Sequence, residues 1–285
     1  MLRTAPALRI AAFSFFVGMN CAKPEPDTIR EVSPAKSFPD IRTSIPDAAS
    51  PPVVDASMTS PAYVSLALKN PKIVVLGDSI LTGYGGLVAK ALGENVSAPD
   101  GGLAAPKDVT KGAQAIRGWI GTQFDAHVSD PKNNIIVLEG GVNDLANLGK
   151  LGKKEAREDA FVDLLARLDG MVKKCIENNK VIILVTISPW KRSYYWTAEG
   201  QEYTEKINGW MKRQARPGVF VADTYSALVT QNPPCEKEKD TLESGYRGGD
   251  IQHPNAAGKR RIAEAIAESM GFSVAHTKPE ASRWT

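Results

Sequence analysis

The feature that most constrains the fold is a series of short, uniformly apolar runs, rich in β-branched residues, that recur along the chain. Such runs are typical of parallel strands covered by helices on both faces, because neither face of the strand meets water. A weaker candidate strand lies at 95–98. The clear runs span 72–76, 134–138, 181–187 and 219–222.

Segments with helical spacing separate these runs. In the segment 112–128, Ile116, Ile120 and Phe124 recur once per helical turn, which places them on one face of a helix. Further helices are predicted at 87–92, 155–178, 203–215 and 254–270. The alternation predicts an α/β fold, a three-layer α/β/α sandwich with a central, mostly parallel five-stranded sheet of the flavodoxin-like kind. Ligand-binding loops are then expected at the carboxyl ends of the strands.

Residues 1–21 have the pattern of an export signal peptide, in which arginines flank the start of an apolar stretch at 10–19. That stretch is about half of the roughly 20 residues that a membrane-spanning helix needs. Cys21 follows it, as the lipidated cysteine does in bacterial lipoproteins, although Gly18 and Asn20 depart from that pattern. We therefore expect an exported bacterial protein, periplasmic or anchored to the membrane through lipidation of Cys21. Secretion without a lipid and retention in the cytoplasm stay open.

The remaining boundaries follow from composition. In 22–60, prolines recur among Ser, Thr, Asp and Ala without an apolar period. Such a segment cannot bury enough apolar surface to offset the entropy of ordering it, so a disordered tether is predicted. Residues 61–273 then form one catalytic domain, and 274–285 form a C-terminal tail.

Composition also excludes several functions. A net charge of +3 on 285 residues is too small for the electrostatic footprint of a nucleic-acid-binding protein. The chain has 3 histidines, no H-E-x-x-H motif and no cysteine and histidine cluster with metal-ligand spacing, so neither a metal nor another cofactor is expected. In an exported protein Cys175 and Cys235 could pair, and the sequence leaves this question and the oligomeric state open.

The first motif that carries chemistry is Gly77-Asp78-Ser79, between the first strand and the first helix. A serine at such a turn can expose its Oγ above the sheet while its own N–H points into the same space. A phosphate-binding loop is the other interpretation, but the segment has neither G-x-G-x-x-G nor G-K-[ST]. Ser79 is therefore a candidate nucleophile.

The second motif is Gly140-Gly141-Val142-Asn143-Asp144, at the end of the run 134–138. An asparagine amide at this edge can donate a hydrogen bond to the oxyanion that forms when a carbonyl is attacked. Taken alone, the motif favours a simpler role, in which an Asn-Asp turn caps the next helix.

The third motif joins Asp250 to His253 and Pro254. A carboxylate three residues before an imidazole can hold its Nδ1–H while Nε2 faces a nucleophile from elsewhere in the chain. Pro254 fixes its own φ and is predicted to begin the last helix, which would tie the histidine to a rigid element.

Taken together, in this order and each after a strand, the three motifs resemble the sequence blocks of the SGNH (GDSL-like) hydrolases, over about 71–270. The resemblance implies that Ser79 is the nucleophile and one oxyanion donor, and that Asn143 is another donor. It further implies that His253 is the general base and that Asp250 orients it.

The glycine block of that family, which supplies a further backbone N–H to the oxyanion, is less clear in this sequence. Gly101 and Gly102 are the preferred match, with Gly112 as the rival. Ile80 and Leu81 stand where that family usually has Leu and often has Thr, but neither residue takes part in the chemistry.

The resemblance thus implies a serine hydrolase that cleaves carboxylic esters, acyl or O-acetyl, through an acyl-enzyme. A catalytically inactive, surface-anchored binding protein on the same fold is the alternative, and the complete triad argues against it.

The substrate could be a small-molecule, carbohydrate or lipid ester. Trp190 and the aromatic residues 194–196 could line the substrate site or could simply pack, and the loop 231–249 could act as a lid.

Overall fold

The computed structural model describes residues 62–81, 87, 90–91, 115–231, 233, 235–248 and 252–274, the side chains of Trp119 and Lys237 excepted. Several predicted features lie outside these residues. They are the signal segment with Cys21, the tether, the weak strand 95–98, the glycines Gly101, Gly102 and Gly112, Asp250, and the tail from 275 onwards.

Four parallel strands form one sheet in the order β1 (Ile73–Leu76), β2 (Ile135–Glu139), β3 (Val181–Val185) and β4 (Val219–Ala222). Every residue of the first three strands is buried, as expected of strands covered on both faces. The α/β sandwich prediction is confirmed. Five strands were predicted and the described residues contain four, while the fifth candidate falls outside them.

Helices flank the sheet. The strand order follows the chain order, so each connection leads to the neighbouring strand, and the last helix packs on β3 and β4. The helices are α1 (Ala62–Lys69), α2 (Gly121–Ser129), α3 (Val142–Leu148), α4 (Lys154–Glu177), α5 (Ala198–Arg213), α6 (Thr224–Leu228) and α7 (Ala256–Ser269), with 3-10 turns at Glu236–Glu238 and Ser244–Tyr246. Leu87, Lys90 and Ala91, inside the predicted helix 87–92, are helical.

Two helix starts differ from the predictions because side chains cap them elsewhere. The helix α5 begins five residues before 203, since the Thr197 hydroxyl accepts a 2.9 Å hydrogen bond from the Gly200 N–H. The Asn255 side chain accepts 2.9 Å bonds from the N–H groups of Ala257 and Gly258, so α7 begins after Asn255. The prediction that Pro254 begins this helix is therefore wrong.

The helix predicted at 112–128 is interrupted. A π-helical turn at Ile116–Ile120 precedes α2, and Gly118 inside this turn has φ −115° and ψ −123°, outside the helical region. The Ile116 N–H instead donates to the Asp144 carboxylate at 2.7 Å. Because Ile116 is the first residue of the turn, its N–H has no partner within the helix, and a carboxylate from another part of the chain supplies one.

The structure also answers the cysteine question. Cys175 is a free, fully buried thiol on α4, so it does not pair with Cys235.

Within the part of the chain that the structure describes, no helix has both the length and the apolarity required to cross a lipid bilayer.

Candidate active site

Ser79 lies in a tight turn directly after β1, at the carboxyl edge of the sheet. The Leu81 N–H donates to the Asp78 carbonyl at 3.2 Å, and the Ile80 N–H donates to the Asp78 carboxylate at 2.8 Å. Asp78 and Ile80 are both buried, whereas Ser79 is half-buried. The turn therefore anchors its neighbours in the core and presents the Ser79 hydroxyl.

His253 is held by a short two-stranded contact before α7. The Gly248 N–H donates to the His253 carbonyl at 2.8 Å, and Arg247 and Pro254 form an antiparallel bridge. A Cβ at Gly248 would lie 2.4 Å from the His253 carbonyl oxygen, so no larger residue fits there without moving the histidine. These backbone contacts thus fix the position of the His253 main chain.

The structure brings the two predicted residues together. The Ser79 Oγ lies 2.9 Å from the His253 Nε2, although 174 positions separate the residues in the chain. This is the hydrogen-bonded geometry in which an imidazole can take the proton of a serine hydroxyl. Asp250, predicted to hold the other ring nitrogen, lies outside the described residues.

Asn143 lies beside the same turn, in the first helical turn of α3. Its Nδ2 donates to the Asp78 carboxylate at 3.4 Å. Gly141 occupies the N-cap position with φ 117°, a conformation that favours glycine, and no side chain caps the helix. The alternative interpretation, that this motif serves to cap α3 through an Asn-Asp turn, is therefore wrong.

The sequence analysis missed the buried Glu139 beside this site and gave the buried Asp144 no role of its own. Glu139 is the last residue of β2, and its Oε2 accepts a 3.1 Å bond from the Asp78 N–H. Asp144 accepts from the Ile116 N–H at 2.7 Å and from the Arg117 Nε at 3.1 Å. For Glu139, the signal in the sequence is an acidic residue at the end of an otherwise apolar strand.

Burial shifts the protonation of these acids. It raises the pKa of Asp78 to about 6, and the hydrogen bond from Ile80 opposes the shift. Burial raises the pKa of Glu139 well above its usual range, and the nearby Asp78 charge adds to the effect. Burial also raises the pKa of Asp144, against the bonds from Ile116 and Arg117. Burial thus makes each of these carboxyl groups harder to ionise than an exposed acid.

The aromatic cluster divides into packing and surface residues. Trp190 is fully buried and its Nε1 donates to the Thr204 hydroxyl at 2.9 Å, so this residue belongs to the core. Tyr194 is 94% exposed and meets Tyr195 edge to face.

In the loop 231–249, Glu238 forms ion pairs with Arg192 and Arg247. Ion pairs anchor the described part of this loop, and a lid role stays a prediction.

This chain is similar to solved structures of other proteins. A lipolytic protein of the G-D-S-L family from Desulfitobacterium hafniense has a similar structure at 18% identity and TM-score 0.51, with 70% of this chain and 99% of that chain covered. An acetylxylan esterase from Geobacillus stearothermophilus matches at 19% identity and TM-score 0.49, with 73% and 97% covered. The comparison with curated protein sequences gave no match.

A family model provides the assignment. The model of the GDSL-like lipase/acylhydrolase family matches residues 75–261, more than half of the chain. The matched region begins within β1, runs through the Ser79 and Asn143 segments and includes His253. The chain therefore belongs to the GDSL-like lipase/acylhydrolase family and is a hydrolase that acts on ester bonds.

Proposed function

We propose that the protein cleaves carboxylic esters, acyl or O-acetyl, with Ser79 as nucleophile and His253 as general base. The observation that carries this proposal is the 2.9 Å contact between the Ser79 Oγ and the His253 Nε2. A serine hydroxyl is a weak nucleophile at neutral pH, and an imidazole within hydrogen-bonding reach activates it by accepting its proton.

In the first half-reaction the Ser79 Oγ bonds to the ester carbonyl carbon while its proton moves to the His253 Nε2. The tetrahedral intermediate then collapses, and the imidazolium gives that proton to the departing alcohol. In the second half, His253 accepts a proton from water, the resulting hydroxide attacks the acyl carbon, and Ser79 recovers its proton as the acid leaves. Asp250 is assigned the role of holding the ring in the required tautomer.

The oxyanion of each tetrahedral intermediate needs fixed donors. We assign the Ser79 N–H, a glycine N–H from Gly101 or Gly102, with Gly112 as the rival, and the Asn143 amide. The Asn143 Nδ2 carries two hydrogens, and the one not directed at Asp78 is the one assigned to the oxyanion. Such preorganised donors stabilise the transition state because they need no reorientation as charge develops.

The first test is turnover itself. Purified protein should release p-nitrophenol from p-nitrophenyl acetate catalytically, and a series of longer acyl chains beside acetylated sugars should rank the preferred acyl and alcohol groups. If folded protein turns over none of these esters, the proposal fails for these classes and a binding role on the same fold becomes the better interpretation.

Asn143→Ala is expected to lower kcat by about a hundredfold, since loss of one oxyanion donor costs about 3 kcal/mol of transition-state stabilisation. Asn147→Ala is the matched control, because Asn147 is an exposed residue on the same helix. The measurement is kcat on p-nitrophenyl acetate beside the circular dichroism spectrum of each variant. An Asn143→Ala variant as active as the control would remove the oxyanion role.

We propose further that the protein is exported and carries a lipid on Cys21, so that the catalytic domain acts on substrates outside the cytoplasm. In cells fed a labelled fatty acid, the parent protein should acquire the label and fractionate with membranes. Cys21→Ser should lose both properties and leave ester turnover unchanged. Unlabelled parent protein in the soluble fraction would contradict the anchor.

A further inference from the structure

Two buried carboxyl groups meet beneath the Ser79 turn. Asp78 lies two residues after the end of β1 and is 0% exposed. Glu139 is the last residue of β2 and is 1% exposed. The Asp78 N–H donates to the Glu139 Oε2 at 3.1 Å, so the two strand ends are joined through these residues. The mechanism proposed above uses neither group, although one of them directly precedes the nucleophile.

The hydrogen bonds around the pair indicate which group carries the negative charge. Both carboxylate oxygens of Asp78 accept N–H bonds, one from Ile80 at 2.8 Å and the other from Asn143 at 3.4 Å. Glu139 differs: its Oε1 is buried without a hydrogen-bond partner, and no ion pair to it is found among the described residues. Burial next to a second carboxyl group disfavours the charged form of Glu139, and the N–H bonds to Asp78 favour the charge there, so the proton of the pair stays on Glu139.

We propose that Glu139 is a positioning residue that carries the shared proton and donates it to the Asp78 carboxylate, which in turn holds the Ser79 turn and the Asn143 amide in their working geometry. This inference deepens the proposed ester hydrolysis and relies on it for its kinetic test. The location of the proton on Glu139 can be tested without any enzymatic activity.

The electrostatics of the pair agree with this arrangement. Burial and the adjacent Asp78 charge hold the pKa of Glu139 well above its usual range, whereas the pKa of Asp78 is about 6. Above about pH 6 the pair therefore carries one negative charge, on Asp78. Among the described residues, two other titratable groups act on the Asp78 charge: His253 favours it when the imidazole carries a proton, and Asp144 opposes it and is itself paired with Arg117.

A definite pH dependence follows. Because Glu139 is neutral in the working state, acidification does not change its charge, and the acid limb of the rate profile belongs to the other groups of the site. Raising the pH removes the Glu139 proton. This adds a second negative charge next to Asp78 and deletes the donor that holds the Asp78 carboxylate, so ionisation of Glu139 contributes an alkaline loss of activity.

Infrared spectroscopy tests the proton directly. At about pH 8, where exposed carboxyl groups are ionised, the parent protein should show the carbonyl stretch of a protonated carboxylic acid. Cell-free synthesis with glutamate labelled with ¹³C at its side-chain carboxyl should shift this band, and Glu139→Gln should remove it. Glu264→Gln, which replaces another buried acid, should leave it in place. A missing band, or one that the labelled glutamate does not shift, would overturn the proposal.

The kinetic test compares an amide with an apolar side chain. Glu139→Gln keeps a donor for Asp78 and an acceptor for its N–H, so kcat/KM should stay within about threefold of the parent, the effect of one altered hydrogen bond. Glu139→Leu keeps neither and should lower kcat by ten- to about a hundredfold with little change in KM, as expected when reacting groups are misplaced by about 1 Å.

The pH profile separates positioning from a purely structural role. Glu139→Gln should move the alkaline limb of kcat/KM to higher pH and leave the acid limb where it is in the parent. If the acid limb moves to lower pH, Glu139 was charged in the parent, and if both variants are fully active, Glu139 does not position the turn. Either result overturns the proposal. A parent with the infrared band but no esterase activity would instead refute the proposed function alone.

Discussion

Ser79→Ala is expected to lower kcat/KM on p-nitrophenyl acetate by ~10⁴-fold or more, since the chemistry then has no nucleophile and only binding and oxyanion donors remain. The loss should appear in kcat, because Ala leaves the rest of the site in place. Ser79 is half-buried and Ala is smaller, so the change introduces no steric clash. Steady-state kinetics measure the effect, and thermal unfolding shows that the fold persists.

Ser129→Ala is the matched control for this variant. Ser129 is exposed at the end of α2, at the opposite edge of the sheet from the carboxyl ends of the strands. It should keep full activity. Residual turnover in Ser79→Ala within about tenfold of the parent would mean that another group attacks the ester, since loss of a true nucleophile costs far more.

His253→Gln is expected to lower kcat/KM to a similar extent, because Ser79 then loses the base that accepts its proton. The double variant Ser79→Ala with His253→Gln should be hardly worse than either single variant. Residues that act as one unit show such non-additive losses, whereas independent contributions would multiply. The measurement is a double-mutant cycle on kcat/KM.

His127→Gln provides the control for the histidine. His127 lies on α2, away from the carboxyl edge, and contacts Asn133. Its replacement should leave activity unchanged. If the losses at Ser79 and His253 multiply in the double variant, the two residues work separately, and the 2.9 Å contact between them has no catalytic role.

The architecture could be predicted because its signals are local. Uniformly apolar runs mark β1 to β3, where every residue is buried, and the four described strands all fall on predicted runs. Helix ends were less predictable because they depend on capping side chains, as Thr197 and Asn255 show. The break at Gly118 lies beside Ile116 and Arg117, which bind Asp144 from a distant part of the sequence, and periodicity alone could not reveal such a contact.

The candidate site was predictable for a different reason. Ser79, Asn143 and His253 each follow a strand, and parallel strands end at one edge of the sheet, so residues from these three loops come together. The proximity of the Asn143 amide to the Ser79 turn follows from the pairing of β1 with β2. Strand pairing therefore converts sequence order into a common site.

The acid pair could not be predicted in the same way. Glu139 reads in the sequence as one charged residue after an apolar run, and Asp78 reads as part of a glycine-rich turn. Their contact becomes apparent only when the register of β1 and β2 places one strand end beside the other. Sequence patterns record spacing along the chain, so they miss contacts that depend on strand register and burial.

The most direct test of the central claim, that Ser79 is a nucleophile activated by His253, is labelling with a fluorophosphonate followed by peptide mass spectrometry. The account predicts a single phosphonyl adduct on the peptide that contains Ser79, absent in Ser79→Ala and formed far more slowly in His253→Gln. Folded parent protein without an adduct, or with the adduct on another residue, would contradict it.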